Sequence, residues 1–163
     1  MITIQLGREI MKTLKPKGKA PRFDLNDQNG KNVAISDFSG KKLFLYFYPK
    51  ANTSSWSTQA KNVRDALKEL GGRKISVVGI SPDKFETQKK FDDKHNLGFP
   101  LLSDPDHKTA EAYGVWGEKK MYGKTFMGII RSSFLIDENG NILNTWYKIS
   151  PKNTIPELMK VLD

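Results

Sequence analysis

The sequence predicts an α/β fold in which a central mixed sheet is flanked by helices, and three observations support this prediction. Residues 43–48 form a continuous apolar run, and residues 75–80 form a second run interrupted only by Ser76; both are typical of strands buried in a sheet. Each run is followed by a segment with helical periodicity, and this alternation favours parallel pairing of the two strands. The chain has 163 residues, a length that suits one domain.

The elements on either side of the first apolar run are predicted from turn and stop signals. Asn29-Gly30 separates two short apolar segments, and its preference for type I′ turns predicts a β-hairpin. A helix is predicted over residues 56–70, where apolar residues form one stripe. Gly71-Gly72 is the expected stop signal of this helix.

The segment after the second apolar run is predicted to hold two helices and a loop. Asp83 and Glu86 have the spacing of a capping box, and the helix they begin is expected to end near residue 95. Residues 101–102 are predicted to be extended, and residues 109–113 helical. Residues 115–128 are interpreted as a glycine-containing loop, whose length indicates a functional role.

The end of the chain is predicted to form a second hairpin and a helix. Residues 129–136 and 142–147 are the expected strands, joined through Asn139-Gly140. Thr154 is the expected cap of the last helix. This order of elements is that of a thioredoxin-like sandwich with an N-terminal β-hairpin.

The predicted domain organisation is a short extension followed by one domain. Residues 1–15 are assigned to the extension and residues 16–163 to the domain. Leu6, Ile10 and Leu14 recur every four residues, which favours a short amphipathic helix or an arm. No apolar run approaches the ~20 residues that span a bilayer, so we expect no membrane association and a cytoplasmic location.

Composition excludes several kinds of chemistry. The chain contains no cysteine, so it can form no disulfide, no zinc–thiolate site, no iron–sulfur cluster and no thiol nucleophile. The net charge is +9, and many basic residues lie near the N-terminus. This charge is typical either of a soluble basic surface or of a nucleic-acid-binding module, although no arginine-rich tract or zinc-finger spacing is present.

The loop after the first apolar run is where we expect the functional site. In α/β folds, ligands bind beyond the carboxyl ends of the strands, where a helix N-terminus offers free N–H groups and a positive dipole. Here that loop is residues 49–56, and a thiol in the first turn of the following helix would be acidified.

Several segments resemble the Q-type peroxiredoxins, also called bacterioferritin-comigratory proteins. The matching segments, which extend over almost all of the chain from Lys17 onward, are 46–53 (YFYPKANT), 79–83 (GISPD), 99–108 (FPLLSDPDHK), 114–123 (GVWGEKKMYG) and 129–137 (IIRSSFLID). The resemblance implies a thioredoxin-like peroxiredoxin fold. It also implies reduction of hydrogen peroxide and organic hydroperoxides by a peroxidatic cysteine, recycled through a second thiol and thioredoxin.

The resemblance assigns site positions to this chain and shows that both thiols are replaced. Pro49, Thr53 and Arg131 match the family's substrate-pocket residues. Trp56 stands at the peroxidatic position and Lys61 at the usual resolving position. Two neighbouring departures are Ser54-Ser55 where Pro-Gly is usual and Gln59 where glutamate is usual.

These replacements predict a homologue without peroxidase activity. Trp56 is expected to point inward and fill the peroxide pocket, because it continues the apolar stripe of its helix, whereas Lys61 is expected to face solvent. A binding or regulatory role in the antioxidant system is the resulting hypothesis, with a redox-active paralogue or a thioredoxin-like protein as partner. A nucleic-acid-binding module on the same scaffold is the alternative. We expect no cofactor, and a monomer or weak dimer.

The remaining candidate residues have two interpretations each. Arg131 is expected either to bind a small anion beside Thr53 or to pair with a carboxylate or a backbone carbonyl. His95 and His107 each follow an aspartate at a spacing compatible with metal binding, but surface or capping roles are favoured and no metal site is assigned. The aromatic residues of 115–128 form either a contact surface or part of the core.

Overall fold

The computed structural model describes residues 3–4, 11–51 and 54–162, with side chains described from residue 13 onward except those of residues 54–56 and 121. The strands are, in chain order, β1 (Thr3–Ile4), β2 (Met11–Lys12), β3 (Asp24–Asn26), β4 (Asn32–Ala34), β5 (Lys42–Phe47), β6 (Ile75–Ser81), β7 (Leu101–Ser103), β8 (Trp116–Met121), β9 (Lys124–Ile129), β10 (Ser132–Ile136) and β11 (Ile142–Trp146). The helices are α1 (Ser54–Gly72), α2 (Phe85–His95), α3 (Lys108–Ala112) and α4 (Thr154–Leu162), with 3₁₀ turns at Ile35–Phe38 and Pro151–Asn153.

The centre of the fold is a five-stranded sheet in the order β11-β10-β5-β6-β7. β5, β6 and β7 are parallel, whereas β10 is antiparallel to β5 and β11 is antiparallel to β10. Leu45 lies at the middle of the register, opposite Val78 on one side and Phe134 on the other. The predicted α/β fold with a central mixed sheet is therefore confirmed.

β5 is buried on both faces, as its continuous apolar sequence predicts. Leu43, Leu45 and Phe47 belong to the core cluster that also contains residues of α3 and of the β3–β4 hairpin. Phe44 and Tyr46 belong to the opposite cluster, which contains residues of α1, α2 and α4. The alternation of side chains along a strand divides one apolar run between the two cores.

α1 covers one face of the sheet with the predicted stripe. Ala60, Val63 and Leu70 are fully buried, which confirms the stripe for the residues whose side chains are described. The predicted stop is wrong, because α1 continues through Gly71-Gly72. The left-handed residue that follows the helix is Lys74, with φ of 60°.

Both Asn-Gly signals lie in hairpins, but the predicted turn type is wrong. β3 pairs with β4 in antiparallel fashion, and Gly30 alone of Asn29-Gly30 has a positive φ, 78°. The Gly30 N–H donates to the Asp27 carbonyl, and the Asp27 N–H donates to the Lys31 carbonyl. This pattern is that of a three-residue loop closed by a left-handed glycine. Asn139-Gly140 repeats it, with φ of 84° at Gly140.

Residues 115–128 are not the predicted loop but a projecting hairpin of β8 and β9. Tyr122 and Gly123 both have positive φ, 53° and 76°, which is the type I′ geometry. Lysine and glutamate occupy both faces of these strands, so the alternation that signals a half-buried strand is missing from the sequence. The predicted strand 129–136 is divided between two strands, because Ile129 is the last residue of β9 and β10 begins at Ser132. Arg131 therefore lies at a junction between strands.

The N-terminal segment is described only in part. β1 and β2 pair in antiparallel fashion, so the proposed helix does not extend to Met11–Lys12, and residues 5–10 lie outside the described residues. β-Branched residues such as Thr3 and Ile4 favour strands. Further along, the Leu14 N–H donates to the Tyr147 hydroxyl at 2.8 Å, which joins this segment to the body of the protein. No helix among the described residues is long and apolar enough to cross a bilayer.

Candidate functional site

The site lies where β5 ends and the chain turns into α1. The Tyr48 N–H donates to the Ile80 carbonyl at 3.1 Å, so the backbone stays beside β6 past the end of β5. Pro49 follows and is half-buried, whereas Thr53 lies outside the described residues. α1 begins at Ser54, which places residue 56 in its first turn. The N–H groups of a first turn have no intrahelical acceptor and carry a partial positive charge.

Asp83 anchors this loop and does not form the predicted capping box. Its Oδ2 accepts hydrogen bonds from the Ala51 N–H at 2.7 Å and from the Ser81 hydroxyl at 2.8 Å. α2 begins after Lys84 with no side-chain cap. The Asp83 carboxylate binds both the loop backbone at Ala51 and the side chain of Ser81, the last residue of β6. It therefore fixes the loop and the end of β6 relative to each other.

A buried polar network continues beneath the same loop. The Tyr48 hydroxyl donates to Gln88 Oε1 at 2.6 Å, and Gln88 Nε2 donates to the Ser81 hydroxyl and to the Leu102 carbonyl, each at 3.0 Å. Tyr48, Ser81 and Gln88 are fully buried. Burial raises the pKa of Tyr48 above its ordinary value, so its hydroxyl stays protonated and serves as a donor. These contacts make the support of the loop rigid.

We expect Asp83→Ala to destabilise the protein by about 2 kcal/mol, because it leaves the buried Ala51 N–H without its acceptor. Denaturant unfolding measures this change, and hydrogen exchange at the Ala51 amide should accelerate. Asp83→Asn retains an acceptor oxygen and should recover most of the loss. Asp65→Ala, at an exposed carboxylate on α1, is the matched control. Equal effects of Asp83→Ala and Asp65→Ala would contradict the anchoring role.

Arg131 reaches α1 and, through it, the start of α4. Arg131 Nη1 donates to Gln59 Oε1, and Gln59 Nε2 donates to the Thr154 hydroxyl at 2.8 Å. Thr154 Oγ1 in turn donates to the Ser150 carbonyl at 3.0 Å, so this hydroxyl does not act as the predicted cap. Gln59 is fully buried. The structure thus connects Arg131 to a neutral side-chain amide, and not to the carboxylate or backbone carbonyl that one of the two interpretations named.

Two cations lie near each other at this site. Burial lowers the pKa of Arg131, and the nearby Tyr46 hydroxyl partly offsets this effect. Burial also lowers the pKa of Lys119, and the charge of Arg131 contributes to that shift. Lys119 Nζ donates to the Ile129 carbonyl at 2.9 Å. A Cβ at Gly128 would come within 3.2 Å of the Lys119 side chain, so the glycine gives the lysine room to lie across the hairpin.

In the described part of the chain, no ion pair with a carboxylate balances the charge of Arg131 and Lys119. The ion pairs found among the described residues include neither Arg131 nor Lys119. The hydrogen bond to Gln59 occupies one of the five N–H donors that a guanidinium carries. The site is therefore electropositive and suited to an anionic group.

The two positions that replace the family's thiols are both on α1. The backbone of Trp56 is helical, but its side chain, and with it the predicted filling of the pocket, lies outside the described side chains. Lys61 is exposed, as predicted. With no cysteine anywhere in the chain, no thiolate is available to either position.

The histidines and their neighbouring aspartates have other contacts. Asp104 accepts hydrogen bonds from the Thr109 and Ala110 N–H groups at the start of α3. The His107 ring stacks on Trp116 with centroids 3.8 Å apart, and the His95 ring contacts Phe91. Within the described ranges, no three His, Asp or Glu side chains are grouped so that they could hold a metal ion.

Comparison with known proteins agrees with this fold. The AhpC/TSA family matches residues 16–145. Peroxiredoxin Bcp of Bacillus subtilis (strain 168) is 42% identical over 161 residues, covering 99% of this chain and 96% of the relative. Peroxiredoxin Bcp of Escherichia coli (strain K12) is 48% identical over 132 residues, covering 81% and 85%.

Solved structures extend the comparison to three dimensions. A bacterioferritin comigratory protein of Xanthomonas campestris, studied for its alkyl peroxide reduction activity, superposes with a TM-score of 0.81 at 30% identity, covering 86% of this chain and 89% of that one. A cysteine-to-serine mutant of Xylella fastidiosa PrxQ gives a TM-score of 0.82 at 30% identity, covering 97% of each chain. The predicted thioredoxin-like peroxiredoxin fold is confirmed. The chain belongs to the AhpC/TSA family, as a homologue of its Bcp/PrxQ-type peroxiredoxins.

Proposed function

We propose that this chain is a peroxiredoxin homologue that does not reduce peroxides and acts by binding within the antioxidant system. One observation carries the proposal: a chain with the family's fold over nearly its whole length contains no cysteine. Thiol-based peroxide reduction requires a thiolate to attack the peroxide oxygen and become a sulfenic acid. The indole of Trp56 and the ammonium of Lys61 supply no such nucleophile, and methionine oxidation has no recycling thiol in this chain.

The electropositive site indicates what is bound. Arg131 contacts Gln59 near the amino end of α1 and Lys119 lies near Arg131, and among the described residues neither cation has a carboxylate partner. An acidic group of a partner protein, or a small anion, would neutralise the charge of these two cations through charge-assisted hydrogen bonds. We propose a redox-active paralogue or a thioredoxin-like protein as the partner, which would supply the missing thiols in a mixed complex. The proposed location is the cytoplasm, and alone the chain is expected to be a monomer or weak dimer.

Affinity capture from the native host tests this proposal. The tagged chain is expected to retain a cysteine-bearing peroxiredoxin or thioredoxin-like protein, identified by mass spectrometry and then titrated as a purified protein. Lys119→Gln should weaken the interaction, whereas Lys68→Gln, at an exposed lysine on the same helix as Lys61, should leave it unchanged. Failure to retain any such cysteine-bearing protein would contradict the proposal.

Nucleic-acid binding is the alternative, and the net charge of +9 supports it. It predicts affinity for single- or double-stranded DNA or RNA that falls steeply with salt, because binding releases counterions from the phosphate backbone. A titration from 50 to 200 mM salt distinguishes the two hypotheses. No binding at low salt would exclude this alternative.

A further inference from the structure

A cavity lies at the opposite end of the sheet from the candidate site. It is a groove of about 570 Å³ beside the amino end of β5 and the turn between β10 and β11. β5 is six residues long, so the groove is separated from the Arg131 site by roughly 17–20 Å. Its volume falls in the range of small-molecule sites, ~300–1,000 Å³.

The floor of the groove is apolar. Leu43 and Ile136 are buried there, while Ile35 and Phe38 of the 3₁₀ turn are half-buried and form its accessible part. Half-buried apolar side chains at the base of a groove gain free energy when a ligand covers them. The floor is therefore suited to a hydrocarbon or aromatic body.

The rim of the groove carries an excess of positive charge. Lys19, Arg22 and Lys41 are exposed there, and the ion pairs of the described residues include none of them. Of the two acidic residues on the rim, Asp137 already accepts hydrogen bonds from the Asn139 and Asn141 N–H groups. Three cations therefore face two carboxylates, one of which is already engaged by the turn, and this excess of positive charge favours an anionic head group.

Backbone hydrogen bonds fix the walls of the groove. The Lys17 N–H donates to the Ile142 carbonyl at 2.7 Å, and the Ala20 N–H donates to the Gly140 carbonyl at 2.9 Å. Across from them, the Gly40 N–H donates to the Glu138 carbonyl at 3.0 Å. Part of the basic N-terminal segment is thus held at the rim by backbone hydrogen bonds to Gly140 and to Ile142, the first residue of β11. The groove is preformed, which lowers the entropic cost of binding.

We propose that this groove binds a small organic anion, in which an apolar body lies on the floor and a carboxylate or phosphate group contacts Arg22 and Lys41. The charge balance and the apolar floor both select this class over a cationic or purely inorganic ligand. The proposal is independent of the proposed function, because it concerns the other end of the sheet.

Nuclear magnetic resonance titration of the full chain with octanoate tests the proposal. Amide shifts are expected to concentrate in residues 19–22, 35–41 and 136–140. Octylammonium, which has the same chain and the opposite charge, and inorganic phosphate, which lacks the chain, should each bind at least tenfold more weakly. Binding of either probe as strong as that of octanoate would overturn the proposal.

Two variants locate the site. Arg22→Glu combined with Lys41→Glu should weaken octanoate binding at least tenfold, whereas Lys68→Glu, an exposed charge reversal on α1, should not change it. Both side chains of the double variant are exposed, so the fold should be retained, and circular dichroism checks this. Ile35→Ser, on the floor, should also weaken binding. Unchanged affinity in the double variant, or shifts confined to other residues, would overturn the proposal.

Discussion

Trp56→Cys is expected to produce a thiol that reacts with hydrogen peroxide about threefold faster at pH 7 than an ordinary exposed cysteine, because the larger thiolate fraction outweighs the lower nucleophilicity of a more acidic thiol. Residue 56 lies in the first turn of α1, where the helix dipole and unpaired N–H groups stabilise a thiolate. If the thiol pKa falls from about 8.5 to about 6.5, the thiolate fraction at pH 7 rises from about 3% to about 75%. Arg131, which contacts Gln59 one turn further along the same helix, adds a positive charge to this end of α1.

Stopped-flow measurement of sulfenic acid formation on Trp56→Cys gives this rate. Lys61→Cys is the matched control, because it places a single thiol on the same helix but beyond the first turn, where the dipole effect is weak. It should react like a free thiol. Equal rates in the two variants would show that the site no longer activates a thiol.

Gln59→Leu is expected to destabilise the protein by about 3 kcal/mol. Gln59 is fully buried and accepts from Arg131 while donating to Thr154. An apolar replacement leaves a largely desolvated guanidinium and a buried hydroxyl each with one partner fewer, and a lost hydrogen bond to a charged group costs the most. Denaturant unfolding measures the change in the free energy of unfolding.

Gln59→Glu is the matched control for this substitution. A glutamate of the same length retains an acceptor for Arg131 and adds its charge, so the loss of stability should be well under half of that caused by Gln59→Leu. The carboxylate also requires the Thr154 hydroxyl to turn and donate to it, which gives up the bond to the Ser150 carbonyl. Equal losses in the two variants would contradict the bridging role of Gln59.

The sequence predicted the central sheet because its strands carry strong local signals. β5 and β6 are mostly apolar, and the stripe on α1 has a clear helical period. The β8–β9 hairpin was missed because it projects from the body, so burial imposes no alternation on its side chains. The turn types were wrong because Asn-Gly also suits the longer loop that Gly30 and Gly140 close.

The site was predicted less completely, since its supporting contacts are distant in sequence. Arg131 was identified by resemblance, but its bond to Gln59 spans 72 residues and that of Gln59 to Thr154 spans 95. No local pattern encodes such pairs. Asp83 was misassigned because its spacing to Glu86 matches a capping box, whereas its carboxylate binds the Ala51 N–H, 32 residues away. Lys119 was not identified from the sequence, because nothing there distinguishes it from the other lysines of a basic chain. Only the fold shows that it lies near Arg131.

The natural chain's response to peroxide tests the central claim most directly. The assay follows NADPH consumption with thioredoxin, thioredoxin reductase and either hydrogen peroxide or an organic hydroperoxide, with an active cysteine-bearing Bcp-type peroxiredoxin as the positive control. The cysteine-free chain is expected to give the rate of the buffer blank at every peroxide concentration. Sustained turnover that scales with the concentration of this chain would contradict the account.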